Sequence, residues 1–130
     1  MNGLQTEHLT IRFGGLTAVN GVDFALQPGE IVGIIGPNGA GKTTLINLLA
    51  GIYPPNEGRV IFNGEDITDV PAHTRASLGI GRTFQLIHPL EDLTVVENVM
   101  TGFLFAGKRS LNDARRAAHD LCGSLGLSGV

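Results

Sequence analysis

Leu9, Ile11 and Phe13 alternate with polar residues, a pattern that predicts a half-buried strand ending at Gly14-Gly15. Residues 19–26 repeat the rhythm more weakly through Val22, Phe24 and Leu26. A turn at Gln27-Pro28-Gly29 then leads into Ile31-Val32-Gly33-Ile34-Ile35. That run has no alternation, which predicts a strand buried on both faces in the middle of an α/β sheet. After residues 36–44 come Leu45, Ile46, Leu48 and Leu49 at helical spacing, with Gly51 placed to end the helix. Residues 54–58 read as a loop and 59–62 as a strand, and Asn63-Gly64 signals a tight hairpin with 65–67 as partner. Residues 71–78 predict a short helix ending before Gly79, and 80–84 a further strand. Beyond Pro89, Thr94-Val95-Val96-Glu97 fits a capping box opening a helix. Ser110-Leu111-Asn112-Asp113 resembles a second helix start. Behind it, Leu111, Ala114, Ala118, Leu121, Cys122 and Leu125 share one face, and Gly126 follows as terminator. Strands come first and helices last, with the composition changing near residue 90.

Composition narrows the class. With 42% apolar and 16% charged residues, the 130-residue chain can bury a core. Its 19 glycines are about twice the usual share of roughly 7% but show no Gly-X-Y period, which excludes collagen. The net charge is −3 and no basic run of five or more occurs, so a general nucleic-acid binder is not expected. Lys108-Arg109 and Arg115-Arg116 read as solvated surface. Cys122 stands alone, which excludes an intramolecular disulfide and a Cys-rich zinc site; its place on an apolar stripe makes it a core residue. His8, His73, His88 and His119 form no metal-spaced pair. The amino terminus is too polar for a signal peptide, and residues 93–106 are too short and contain Glu97, so no bilayer span is expected.

The chemistry concentrates in Gly36-Pro37-Asn38-Gly39-Ala40-Gly41-Lys42-Thr43, a full match to G-x-x-x-x-G-K-[ST]. Glycines let the backbone curl so that several N–H groups converge on one phosphate. The helix beginning near Gly41 adds its positive end, Lys42 a full charge for β- and γ-oxygens, and Thr43 a hydroxyl for Mg²⁺. Thr44 offers a further donor. A glycine-rich turn that binds nothing would leave Lys42 without a role at a helix end that disfavours a cation. The pattern therefore points to nucleotide binding. No N-K-x-D guanine motif is present.

The strands before this loop, GPNGAGKTT itself, the GxxxPxxGxVxFxG run over 51–64 and Gly81-Arg82-Thr83-Phe84-Gln85 together resemble an ABC transporter ATP-binding subunit. Phe13-Gly14-Gly15-Leu16-Thr17-Ala18-Val19 and PAHTRASLGIGRTFQ are most similar to the ATPases of branched-chain amino acid importers. The resemblance implies an α/β P-loop NTPase core with an antiparallel β subdomain over 1–92 and the start of a helical subdomain over 93–130. It implies ATP and Mg²⁺ as ligands, with Gly36, Pro37, Asn38, Gly39, Ala40, Gly41, Lys42, Thr43 and Thr44 on the nucleotide, and Thr43 and Gln85 on the metal. Phe13 falls where the family stacks an aromatic ring on adenine, the reading favoured by the glycines that expose it at a strand end; continuing the Leu9 and Ile11 face, its alternative reading is core. Residues 86–100, with Leu86, Ile87, Leu90 and Leu93, fall where a membrane subunit's helix docks, and equally read as subdomain core. Partners implied are membrane-spanning permease subunits and a second ATPase subunit, on the cytoplasmic face of the inner membrane.

The same resemblance marks what these residues do not contain. No L-S-G-G-Q signature, Walker B aspartate, catalytic glutamate, D-loop or switch histidine is found; Leu127-Ser128-Gly129-Val130 reads as a chance fragment. The expectation is a truncated amino-terminal portion that binds ATP without a complete hydrolytic site. The alternatives are a non-catalytic nucleotide-binding or assembly module, and the ATPase of a urea or amide importer or a lipopolysaccharide exporter.

Overall fold

The computed structural model describes residues 3–86, 88–105 and 107–127, which divide into two compact units, Met1–Arg75 and Ala76–Val130. Ile87, within the expected docking segment, and Ser128, Gly129 and Val130 of the chance fragment lie outside the described residues.

The first unit is built on an antiparallel sheet of order β2-β1-β3-β4, with β1 Leu4–Phe13, β2 Leu16–Leu26, β3 Glu57–Phe62 and β4 Glu65–Asp66. β1 starts earlier than its alternation predicts because His8 takes a left-handed backbone (φ 49) and the register shifts there. This bulge puts Thr6 and Leu9, three positions apart, in the interior together. Buried Thr6 and Thr10 are satisfied: Thr6 Oγ1 donates to the Val22 carbonyl, and Thr10 Oγ1 accepts from Gly21 N–H. Asn63 and Gly64 form the expected turn, both at positive φ (52 and 86).

Helix α1, Lys42–Leu49, contributes Leu45, Leu48 and Leu49 to the same core as Leu9, Ile11, Val19, Val60 and Ile67. Its carboxyl end is held by Arg75 from α2 (Ala72–Leu78), a residue the sequence reading passed over. Arg75 is 1% exposed and donates to four carbonyls, those of Leu48, Leu49, Thr68 and Val70, at 2.8–2.9 Å. A guanidinium at this end also complements the negative pole of α1. Burial lowers its pKa, opposed by Asp66 and Asp69.

Two expected strands are corrected. Residues 31–35 form no strand, and Ile31 and Ile35 are 98% and 97% exposed. A strand buried on both faces needs neighbours on each side, and β1 to β4 pair only with one another. Residues 80–84 likewise form no strand.

The second unit pairs α3, Val95–Phe105, with α4, Leu111–Ser124. Thr94 and Glu97 make the expected capping box: Glu97 N–H donates to Thr94 Oγ1, and Glu97 Oε2 accepts from both Thr94 N–H and Oγ1–H. Ser110 caps α4, its Oγ accepting from Asp113 N–H. On α4, only the small residues Ala114, Ala118 and Cys122 are buried; Leu111, Leu121 and Leu125, expected on the same buried face, are exposed.

Candidate phosphate-binding loop

Residues 36–41 leave the exposed 31–35 run, turn over 38–39 and enter α1. Gly39 and Gly41 both have left-handed backbones, at φ 82 and 83. At Gly41 a second constraint applies. A Cβ there would lie 2.1 Å from the Ala18 carbonyl oxygen, so the loop rests directly against β2. Because Gly41 is the N-cap, no side chain caps the helix. The first-turn N–H groups of α1 thus lack the side-chain acceptor that closes α4.

Lys42 folds back over the loop. Its Nζ donates to the Gly36 and Pro37 carbonyls, both at 2.6 Å. An ammonium has three donors, so two hold the loop and one is left for an incoming oxygen. Thr43 is exposed at the start of α1 and Thr44 is half-buried. Beside the loop lies a hollow of about 190 Å³ lined by Ala18, Val19, Ile35, Gly41, Lys42 and Leu45, among others. The uncapped helix end, the lysine and the curled backbone together suit a polyphosphate, with charge supplied locally despite the net negative chain. Among the described residues no group of three or more His, Cys, Asp or Glu could hold a metal ion.

Phe13 stands at the end of β1, 45% exposed, and is therefore not core. Its ring meets Tyr53 edge to face, with centroids 5.4 Å apart and planes at 75°. Tyr53 was missed by the sequence reading; its one available signal was being the chain's single tyrosine, just beyond the α1 terminator. Gln85 lies at a bend in the second unit. Near it Thr83, Phe84, Leu86 and His88 line an apolar hollow of about 480 Å³, and the Arg82 guanidinium sits 4.5 Å over the Phe84 ring. Leu86 and Leu90 are exposed. Asn98, also missed, ties down the loop before α3 by donating to the Leu90, Leu93 and Thr94 carbonyls and accepting from Leu90 N–H.

The family model described as ABC transporter matches residues 19–129. The chain belongs to the ABC transporter family. It is 49% identical over 100 residues to the probable branched-chain amino acid transport ATP-binding protein LivG of Archaeoglobus fulgidus, covering 77% of this chain and 39% of that protein. To the high-affinity branched-chain amino acid transport ATP-binding protein BraF of Pseudomonas aeruginosa it is 46% identical over 109 residues, covering 84% and 41%. Its fold matches the ADP conformation of an ABC transporter's ATP-binding cassette at a TM-score of 0.82 and 36% identity, over 98% of this chain and 55% of that one. The chain thus spans about two fifths of these relatives' length. Within the ABC cassette, then, the described residues make up the antiparallel sheet, the loop with its helix, and a helical pair. No described helix is long and apolar enough to cross a membrane.

Proposed function

We propose that this chain is the ATP-binding part of an ABC transporter ATPase that powers import of a small solute, with branched-chain amino acids as the solute class. The observation that carries the reading is the loop ending at Gly41 and Lys42. There a helix end without a side-chain cap adjoins a lysine tethered to the loop's own carbonyls. The names of the relatives support the solute class. Residues 36–44 hold the phosphates, and Phe13 stacks on the adenine. Thr43 is a protein ligand of Mg²⁺, an ion that characteristically takes few protein ligands and completes its shell with phosphate and water; the role of Gln85 rests on the family resemblance alone.

Residues 1–92 form the nucleotide-binding core with its β subdomain, and 93–130 begin the helical subdomain. Permease subunits and a second ATPase subunit are the partners, with the exposed Leu86 and Leu90 offered to a permease helix. The location is peripheral, on the cytoplasmic face of the inner membrane. The test is calorimetric titration of the chain with ATP, beside Lys42→Ala. Losing a charge-assisted hydrogen bond predicts about ten- to hundred-fold weaker binding. Equal affinities would remove the phosphate-binding reading.

A further inference from the structure

We infer that Tyr53 is a positioning residue of the base site, setting the ring of Phe13 in place before a purine arrives. The inference rests on the proposed reading of Phe13 as the stacking surface.

Phe13 is the last residue of β1 and nearly half exposed, so the core does not lock its ring. An exposed aromatic side chain samples several rotamers, and stacking a base on it requires freezing one. The edge-to-face contact with Tyr53 supplies that restraint in advance. Its 5.4 Å separation and 75° interplanar angle fall within the range where aromatic quadrupoles attract.

Tyr53 is itself well placed to hold still. Upstream, Gly51 N–H donates to the Leu48 carbonyl and Ile52 N–H to that of Asn47, fastening the loop to α1. Downstream, Asn56 N–H donates to the Thr10 carbonyl at 2.8 Å, and Asn56 Oδ1 accepts from Arg12 N–H at 2.6 Å. The loop carrying Tyr53 is therefore tied both to the helix whose start meets the phosphates and to the strand that ends in Phe13. Tyr53 links the base end of the site to its phosphate end.

The restraint acts through Phe13 alone, so it concerns nucleotides and not bare phosphates. The experiment titrates the 130-residue chain with ATP and with inorganic tripolyphosphate, using Tyr53→Ala, Tyr53→Leu, Tyr53→Phe, Phe13→Ala and the Phe13→Ala/Tyr53→Ala pair. Tyr53→Ala and Tyr53→Leu are expected to weaken ATP binding about three- to ten-fold while leaving tripolyphosphate binding unchanged. Unchanged tripolyphosphate binding also shows that the variants fold; Tyr53→Leu keeps the apolar bulk should the alanine variant fail. Tyr53→Phe keeps the ring and is expected to bind ATP like the parent. In the Phe13→Ala background the effect of Tyr53→Ala is expected to vanish. If Phe13→Ala weakens ATP binding but Tyr53→Ala does not, or if the two effects simply add, Tyr53 does not position the ring and the inference falls. Loss of ATP affinity in Tyr53→Phe would overturn it as well, by assigning the role to the hydroxyl. If Phe13→Ala itself leaves ATP binding unchanged, the stacking reading fails first and takes this inference with it.

Discussion

The two flanks of the candidate phosphate-binding loop are both rich in isoleucine and leucine, yet they end in opposite situations. On the helix side, Leu48 is fully buried and Leu49 is 6% exposed. On the approach side, Ile31 and Ile35 are almost wholly exposed. The difference lies in what each structure needs from elsewhere. An α-helix bonds its backbone internally and asks only for a surface to cover one face, which the sheet provides. A central parallel strand bonds nothing internally and needs neighbouring strands as well as cover on both faces. Pattern alone thus tells what a segment is suited to, while its surroundings decide whether it gets there.

The largest expected effect comes from breaking the anchored flank. Arg75→Ala would strand four buried or part-buried carbonyls around the end of α1, and denaturant unfolding is expected to show a loss of about 3–5 kcal/mol. A loss below about 1 kcal/mol would mean that water replaces the guanidinium and that α1 is held by packing alone. Next comes a matched pair across the loop. Leu48→Ala is expected to cost about 2–5 kcal/mol, whereas Ile35→Ala should stay within about 0.5 kcal/mol. Comparable losses at both positions would show that the approach segment is buried in solution and would erase the contrast.

The smallest effect sharpens the comparison at the helix ends. α1 opens on bare backbone, but α3 opens on a carboxylate. Thr94's backbone and side-chain hydrogen bonds hold Glu97 below its ordinary pKa. A folded-state pKa lower than the unfolded one contributes stability above the unfolded value, near 4.3, and that contribution is lost as pH falls through the folded value. Amide chemical shifts at the start of α3 are therefore expected to move below about pH 4.3, at a lower midpoint than for an unperturbed glutamate. Thr94→Ala removes the hydroxyl's bond and keeps the backbone N–H's, so the midpoint should rise only part of the way to the ordinary value. An unchanged midpoint in that variant would refute a contribution from the Thr94 hydroxyl.

How far the residues alone could be read follows from the same logic. The glycine-rich turn into α1, the Asn63-Gly64 hairpin and both helix caps were legible because each is specified within a few adjacent residues. The start of β1 was hidden because the bulge at His8 breaks the two-residue period by which strands are recognised. Arg75 was hidden because an arginine in a short helix normally lies at the surface; its four carbonyl partners come from two separate stretches of chain, 48–49 and 68–70. Tyr53 and Phe13 are brought together only by the loop's ties to α1 and β1, which no spacing rule records. The expected strands at 31–35 and 80–84 failed for the converse reason, since local pattern cannot count neighbours.

Gly39 and Gly41 look interchangeable in the motif, but the structure gives them different freedoms. Around Gly39 no protein atom lies within 4 Å of a would-be Cβ, so within the chain itself only its backbone angle restricts the choice, an angle at which asparagine is at ease. At Gly41 the angle and the Ala18 carbonyl both forbid a side chain. Across generations, one codon of this loop has room to drift by a small step while its neighbour two places on has a single permitted meaning. That meaning is enforced by a strand lying more than twenty residues upstream in the chain.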